Sequence, residues 1–183
     1  TAALALAGRR ARVVLRKRIG VGAGLGGGSA DAAAVLRWAN SDLAPGERPV
    51  DVARACRLGA DVGFCLAGGR ARVTGIGDRV SALGFERQDF TLLTPPFAVS
   101  SADVYAAWDG LPDVVPDVVP AGLAAGAVND LEPAALAVAP ELALWRDALA
   151  AQTGLRPRLA GSGATWFVEG RFPDVSHAGV AGR

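Results

Sequence analysis

The chain has 183 residues, 51% of them hydrophobic, and a formal net charge of +1 at pH 7. That is enough apolar material for a true core and one or two small domains. The near-neutral balance argues against nucleic acid as the main partner, because binding a phosphate backbone wants a basic surface.

In chain order, Thr1 to Ala7 is apolar but too short for a signal peptide or a membrane span, so no membrane partner is expected. It has the pattern of a helix already under way, and the chain contains no methionine, so a fragment of a longer product is expected. Ala11 to Ile19 alternates, with Val13, Leu15 and Ile19 opposed to Arg12, Arg16 and Arg18, which predicts a strand. Its arginines carry no interleaved aromatics for base stacking, which weighs against RNA. A glycine-rich segment follows, then an alanine-rich helix from about Ser29 to Trp38. Asp51 is a good N-cap for a second helix, which Gly59 ends.

Arg70 to Thr74 and Arg79 to Leu83 form a hairpin pattern around Gly75-Ile-Gly-Asp78. Phe90 to Thr94 is a strand that Pro95-Pro96 stops. Pro112 to Pro120 places a proline at every fourth position, which precludes regular helix and predicts an extended loop. Helices are expected around Leu131–Ala137 and Pro140–Thr153, and strands at Arg158–Ala160 and Thr165–Val168 flanking Gly161-Ser-Gly163. The two cysteines, Cys56 and Cys65, lack metal-ligand spacing and suit small core positions in a reducing cytoplasm. The lone histidine, His177, lies near a glycine-rich terminus and is expected in a solvated tail.

Six glycines fall between Gly20 and Gly28, with Ser29 directly after them. Backbone without Cβ atoms can wrap an anion and turn its N–H groups inward, and the helix that follows adds unpaired N–H groups and a positive dipole end. That is a phosphate-holding arrangement. The Walker pattern needs a lysine before the Ser/Thr; Gly28 stands there, and the only lysine, Lys17, lies upstream. Gly22-Ala-Gly24-Leu-Gly-Gly27 fits the dinucleotide pattern, but no strand ending in an acidic residue follows about twenty positions on. A bare glycine turn remains the structural alternative. So many glycines are a costly way to make one.

The glycine–leucine–glycine segment resembles the phosphate loop of the GHMP kinases, and the whole chain resembles the 4-diphosphocytidyl-2-C-methyl-D-erythritol kinases among them. Four blocks carry the likeness: Lys17 to Ala33, Leu58-Gly-Ala-Asp-Val-Gly-Phe64, Val99-Ser-Ser-Ala-Asp-Val-Tyr-Ala-Ala-Trp108 and Leu159-Ala-Gly-Ser-Gly-Ala-Thr165. Asn129-Asp-Leu-Glu-Pro133 is a shorter fifth. The resemblance implies an α+β, two-domain GHMP kinase fold with its N-terminal part truncated. Residues 1–88 would form a partial ATP-binding domain and residues 89–183 the C-terminal domain. It implies an ATP- and Mg²⁺-dependent small-molecule kinase of isoprene biosynthesis in the cytoplasm. The reaction would phosphorylate the 2-hydroxyl of 4-diphosphocytidyl-2-C-methyl-D-erythritol.

By the same resemblance Gly20, Val21, Gly22, Ala23, Gly24, Leu25, Gly26, Gly27, Gly28, Ser29 and Ala30 cradle the nucleotide phosphates. Ser29 would offer its hydroxyl to a phosphate or to Mg²⁺, or cap the helix it opens. Asp31, placed in the first helical turn, is read as complementing the dipole. Asp61 would take or orient the acceptor proton; its structural alternative is to cap a short helix Val62–Leu66. Tyr105 would stack on the cytosine, or simply pack beside Trp108, and Ser162 and Gly163 would shape the acceptor side. No residue is assigned to a metal from the protein itself. Gly20 and Gly63 stand where the family carries proline, which loosens backbone, and Ala30 where many members carry a second serine. The segment that the family carries upstream includes a catalytic lysine, so the chain alone is expected to lack kinase activity. Another GHMP small-molecule kinase, or a nucleotide-binding module without catalysis, are the alternative readings.

Overall fold

A computed structural model describes residues 1–111, 129–177 and 180. The chain divides into two compact units, Thr1–Arg18 with Gly26–Arg87, and Ile19–Leu25 with Gln88–Arg183. The repeat of prolines between residues 112 and 120 lies outside the described residues.

In the first unit, α1 (Ala2–Leu6) begins at Thr1, whose hydroxyl accepts from the Leu4 N–H at 3.3 Å. Helix α2 (Gly27–Asn40) buries Ala33, Leu36 and Ala39, a stripe at three-residue spacing. Its Asn40 holds the following loop by exchanging two 2.9 Å hydrogen bonds with the Val50 backbone. Asp51 caps α3 (Val52–Ala55) by accepting from the Arg54 N–H at 2.8 Å, as its residue type foretold. A 3₁₀ turn, Cys56–Leu58, leads to Gly59. Gly59 sits at φ 161°, extended backbone, rather than the left-handed ending expected of it.

Helix α4 (Ala60–Ala67) packs on α2 and α3. A Cβ on Gly63 would come within 2.4 Å of Cys56 Sγ and 3.0 Å of the Val52 carbonyl oxygen. Gly63 therefore permits close helix packing, a role its reading as loosened backbone did not include. Strands β1 (Ala71–Thr74) and β2 (Arg79–Ala82) pair antiparallel, Thr74 opposite Arg79. Their turn carries Gly75 and Gly77 at φ 68° and 96°. The core of this unit gathers Ala3, Ala33, Leu36, Val50, Ala55 and Val62.

The strand expected at Ala11–Ile19 is absent. Residues 9–18 join no ladder, and Val13, Val14, Leu15 and Ile19 are exposed. Alternation specifies which residues share a face, but a strand also needs a hydrogen-bonding partner, and none pairs with it among the described residues.

The second unit holds a three-stranded antiparallel sheet in the order β3 (Phe90–Leu93), β5 (Trp166–Glu169), β4 (Arg158–Leu159). Strand β5 buries Trp166 and Val168 and turns Phe167 and Glu169 the other way, the two-residue period of a half-buried strand. On that outer side Phe167 meets Phe90 edge-on, and the Arg158 guanidinium lies 4.8 Å from its centroid. Helices α5 (Ser101–Asp109), α6 (Glu132–Val138) and α7 (Leu142–Thr153) contribute Val104, Ala135, Leu142, Trp145 and Leu149 to the core with Leu93, Leu159, Trp166 and Val168. His177 is exposed, as expected, and its ring also packs edge-on against Trp145, 5.3 Å between centroids. The mixture of helices and antiparallel strands is the α+β class expected.

Candidate active site

The glycine-rich segment has two halves with different surroundings. In the first, Gly22 and Gly24 both sit at φ 73°, backbone that side chains rarely adopt. The Gly22 carbonyl accepts from the Val99 N–H at 3.4 Å and the Ala164 N–H at 3.1 Å, and the Ala23 carbonyl from the Thr165 N–H at 3.1 Å. Gly24 presses so closely on the turn after β4 that a Cβ would overlap the Ala160 and Gly163 carbonyl oxygens. Gly20 meets nothing nearby, and Val21 and Gly20 are exposed.

In the second half, Gly26 is the N-cap of α2, left-handed at φ 64°, with no side-chain capping bond. The first helical bond runs from the Ala30 N–H to the Gly26 carbonyl, 2.9 Å. The N–H groups of Gly27, Gly28 and Ser29 accordingly have no partner among the described residues. Ser29 is the third residue of the helix, so it is not the cap expected. Asp31 lies beyond the first turn, and its carboxylate instead pairs with Lys17, Nζ to Oδ2 2.6 Å. That pair engages the chain's only lysine.

Asp61 is the second residue of α4, one past Ala60, and Gly59 holds the cap position. The capping alternative for Asp61 is thereby removed. Its carboxylate is exposed, accepts no hydrogen bond and pairs with no cation among the described residues. No hydrogen bond links it to Gly26–Ala30. One turn on, burial pushes the Cys65 thiol above its ordinary pKa, the Asp61 charge adds to that rise, and Arg37 opposes it. Arg37 also donates to the Cys65 carbonyl, satisfying an end of α4. Both cysteines are free.

Tyr105 stands on α5, 54% exposed, with Trp108 also exposed three residues on. Its ring forms no aromatic pair among the described residues. Ser162 is 8% exposed, and its hydroxyl lies 2.6 Å from that of Ser101, the first residue of α5. Gly163, at φ 97°, donates its N–H to the Ala160 carbonyl at 2.9 Å. Gly22, Ala23 and Gly24 are thus brought against the turn that carries Ser162 and Gly163.

Two residues with no assigned part in the sequence reading hold this region. Asn129 donates from its amide nitrogen to the Leu159 carbonyl at 3.0 Å and the Gly161 carbonyl at 2.5 Å. Ser101 partners Ser162. Asn129 opens the block Asn-Asp-Leu-Glu-Pro, a helix-start signature that marks the position but does not reveal what the amide will reach. Among the described residues no three His, Cys, Asp or Glu groups gather as a metal site, and no helix is long and apolar enough to cross a membrane.

The family description "GHMP kinases N terminal domain" matches residues 1–84. The chain is 42% identical over 178 residues to a 4-diphosphocytidyl-2-C-methyl-D-erythritol kinase of Cereibacter sphaeroides (strain KD131 / KCTC 12085), covering 91% of this chain and 63% of that protein. A kinase of the same name from Moorella thermoacetica (strain ATCC 39073 / JCM 9320) is 37% identical, covering 85% and 60%. A crystal structure of 4-(cytidine 5'-diphospho)-2C-methyl-D-erythritol kinase superposes with a TM-score of 0.70 at 38% identity, over 93% of this chain and 66% of that one. The chain therefore spans a little under two thirds of the length of these relatives. Over residues 1–84 the chain matches the GHMP kinases N terminal domain, and along most of its length it is similar to the 4-diphosphocytidyl-2-C-methyl-D-erythritol kinases.

Proposed function

We propose that this chain carries the phosphate-holding and acceptor-activating residues of an ATP-dependent kinase. The enzyme would phosphorylate the 2-hydroxyl of 4-diphosphocytidyl-2-C-methyl-D-erythritol in the cytoplasm. The observation that carries the reading is the bare start of α2. Three successive N–H groups, on Gly27, Gly28 and Ser29, stand unpartnered among the described residues behind a run of left-handed glycines. Oriented amides and a helix dipole at one point are what an anionic phosphate requires. Residues Gly20 to Ala30 are assigned to the nucleotide on that basis.

Phosphoryl transfer asks the protein mainly to position its reactants and to neutralise charge. Asp61, a carboxylate with no partner among the described residues, is assigned the acceptor hydroxyl's proton. Tyr105 offers an unengaged ring for base stacking, worth about 1–3 kcal/mol, and Ser162 and Gly163 are assigned to the acceptor side. Mg²⁺ takes oxygen ligands, usually one or two from protein and the rest from phosphates and water. The Ser29 hydroxyl suits that share, and the ion would supply charge neutralisation at the transferred group.

The test is ADP release coupled to the methylerythritol substrate, measured on the chain joined to the remaining length that its relatives carry, with Asp61→Asn as the comparison. Substitution should lower turnover by about 10²–10⁴-fold, the range typical of acid–base residues, with ATP affinity little changed. A loss below about tenfold would place the proton acceptor elsewhere. ATP binding with no substrate-dependent turnover in that completed parent protein would support a binding module instead.

A further inference from the structure

We infer that Asn129 is a positioning residue for the first half of the glycine-rich segment, acting through the Gly161–Gly163 turn. The inference rests on the phosphate-holding role proposed for that segment. All three polar functions of the Asn129 side chain are engaged. Its amide nitrogen donates to the carbonyls of Leu159 and Gly161, the two residues flanking Ala160, and its Oδ1 accepts from the Leu131 N–H at 3.0 Å. A planar amide supplies two donors and an acceptor in one plane; a carboxylate supplies acceptors alone. The residue therefore ties the entry of α6 to both sides of a single residue in the turn.

That single residue is the one Gly24 lies on. Ala160 accepts from the Gly163 N–H at 2.9 Å and donates to the Thr165 carbonyl at 2.9 Å, so its peptide is fixed within the turn. The absence of room for a Cβ between Gly24 and the Ala160 carbonyl means that the two backbones are in direct contact. Ala164 and Thr165 then bind the carbonyls of Gly22 and Ala23. A shift of the Ala160 carbonyl is transmitted to Gly24 without an intervening side chain, because packed backbone cannot absorb it by changing rotamer. Left-handed glycines have few other restraints, so the turn supplies what their own conformational preferences do not.

Asn129→Asp preserves size and the bond from Leu131 but sets lone pairs against two carbonyl oxygens. Leu149→Val, on α7 in the same core cluster, serves as a comparison that alters packing without removing any of the Asn129 bonds. At a temperature where circular dichroism shows each protein folded, MgATP affinity is measured by calorimetry and amide exchange by NMR. For Asn129→Asp we expect affinity to fall about tenfold or more. Exchange at Ala164 and Thr165 should rise about tenfold relative to the amides of α7. Leu149→Val should leave affinity within about twofold and show no such selectivity. Affinity of Asn129→Asp within about twofold of the parent, or exchange that rises no more at Ala164 and Thr165 than in α7, would overturn the inference. A parent protein that binds no nucleotide would sink the phosphate reading by itself, and the exchange data alone would then decide the positioning role. If Asn129→Asp does not fold, Asn129→Ser keeps one hydroxyl donor and is read the same way, with a smaller change expected.

Discussion

Gly24 and Gly26 share a left-handed backbone, yet a methyl group means something different at each. At Gly24 it would overlap the Ala160 and Gly163 carbonyls, which are backbone and cannot rotate away. At Gly26 it would meet nothing within 4 Å, leaving only the conformational cost. Gly26→Ala should therefore cost about 1–2 kcal/mol, the left-handed penalty of an L-residue. Gly24→Ala should cost at least about 3 kcal/mol, because overpacking adds to the same penalty. Urea unfolding of the two variants separates them, and equal losses would contradict the contact described at Gly24. The open space beside Gly26 also makes it the better probe of ligand. Gly26→Val should weaken MgATP binding by about tenfold or more while the protein stays folded. Unchanged affinity would remove the phosphate assignment.

Between helices α3 and α4 the fitted pair is Gly63 and Cys56, a glycine in α4 facing a small thiol just past the end of α3. Gly63→Ala is expected to destabilise by about 1–3 kcal/mol through overpacking. Cys56→Ala in the same protein should return part of that loss by clearing the Sγ, though not the part set by the Val52 carbonyl. A double-mutant cycle measures this coupling, and strictly additive effects would show that the two positions do not touch. This coupling was invisible in the sequence, where Gly63 looked like missing proline. The elements themselves were largely legible, for local reasons. Asp51 announced a cap it does make, Gly75 and Gly77 announced a hairpin turn, and Pro95 marked where β3 stops. Segments whose state depends on distant partners were not legible. The alternating run at Ala11–Ile19 looked like a strand and finds no ladder. Ser29 and Asp31 were misplaced by a helix that starts two residues earlier than its first polar residue suggested. At the site, residue types pointed to the glycines, whereas Asp61 was named only through the family resemblance. The supporting bonds of Asn129 and Ser101 span 32 and 61 positions and leave no local trace.

Each of the two units has a core of its own, and the cores are built differently. The first relies on alanines and single aliphatics, with Leu36 its largest fully buried side chain. The second is larger and includes Trp145, Trp166, Leu142 and Leu149. Small cores lose a greater share of their burial when one large side chain is cut back, because fewer neighbours remain to exclude water. Leu36→Ala and Leu142→Ala each remove the same atoms from a fully buried site, so the transfer cost is the same, about 2–5 kcal/mol with the cavity included. The consequences should differ in place. Leu36→Ala should speed amide exchange across α2 and α4 while leaving β5 and α7 nearly as protected as in the parent. Leu142→Ala should do the reverse, because local opening follows the packing that has been lost. Tryptophan fluorescence adds a second view, since Trp145 and Trp166 both belong to the second core and should respond to Leu142→Ala first. Uniform acceleration over both units from either substitution would show that they unfold as one cooperative body, and two cores would then be a description of contacts without energetic meaning.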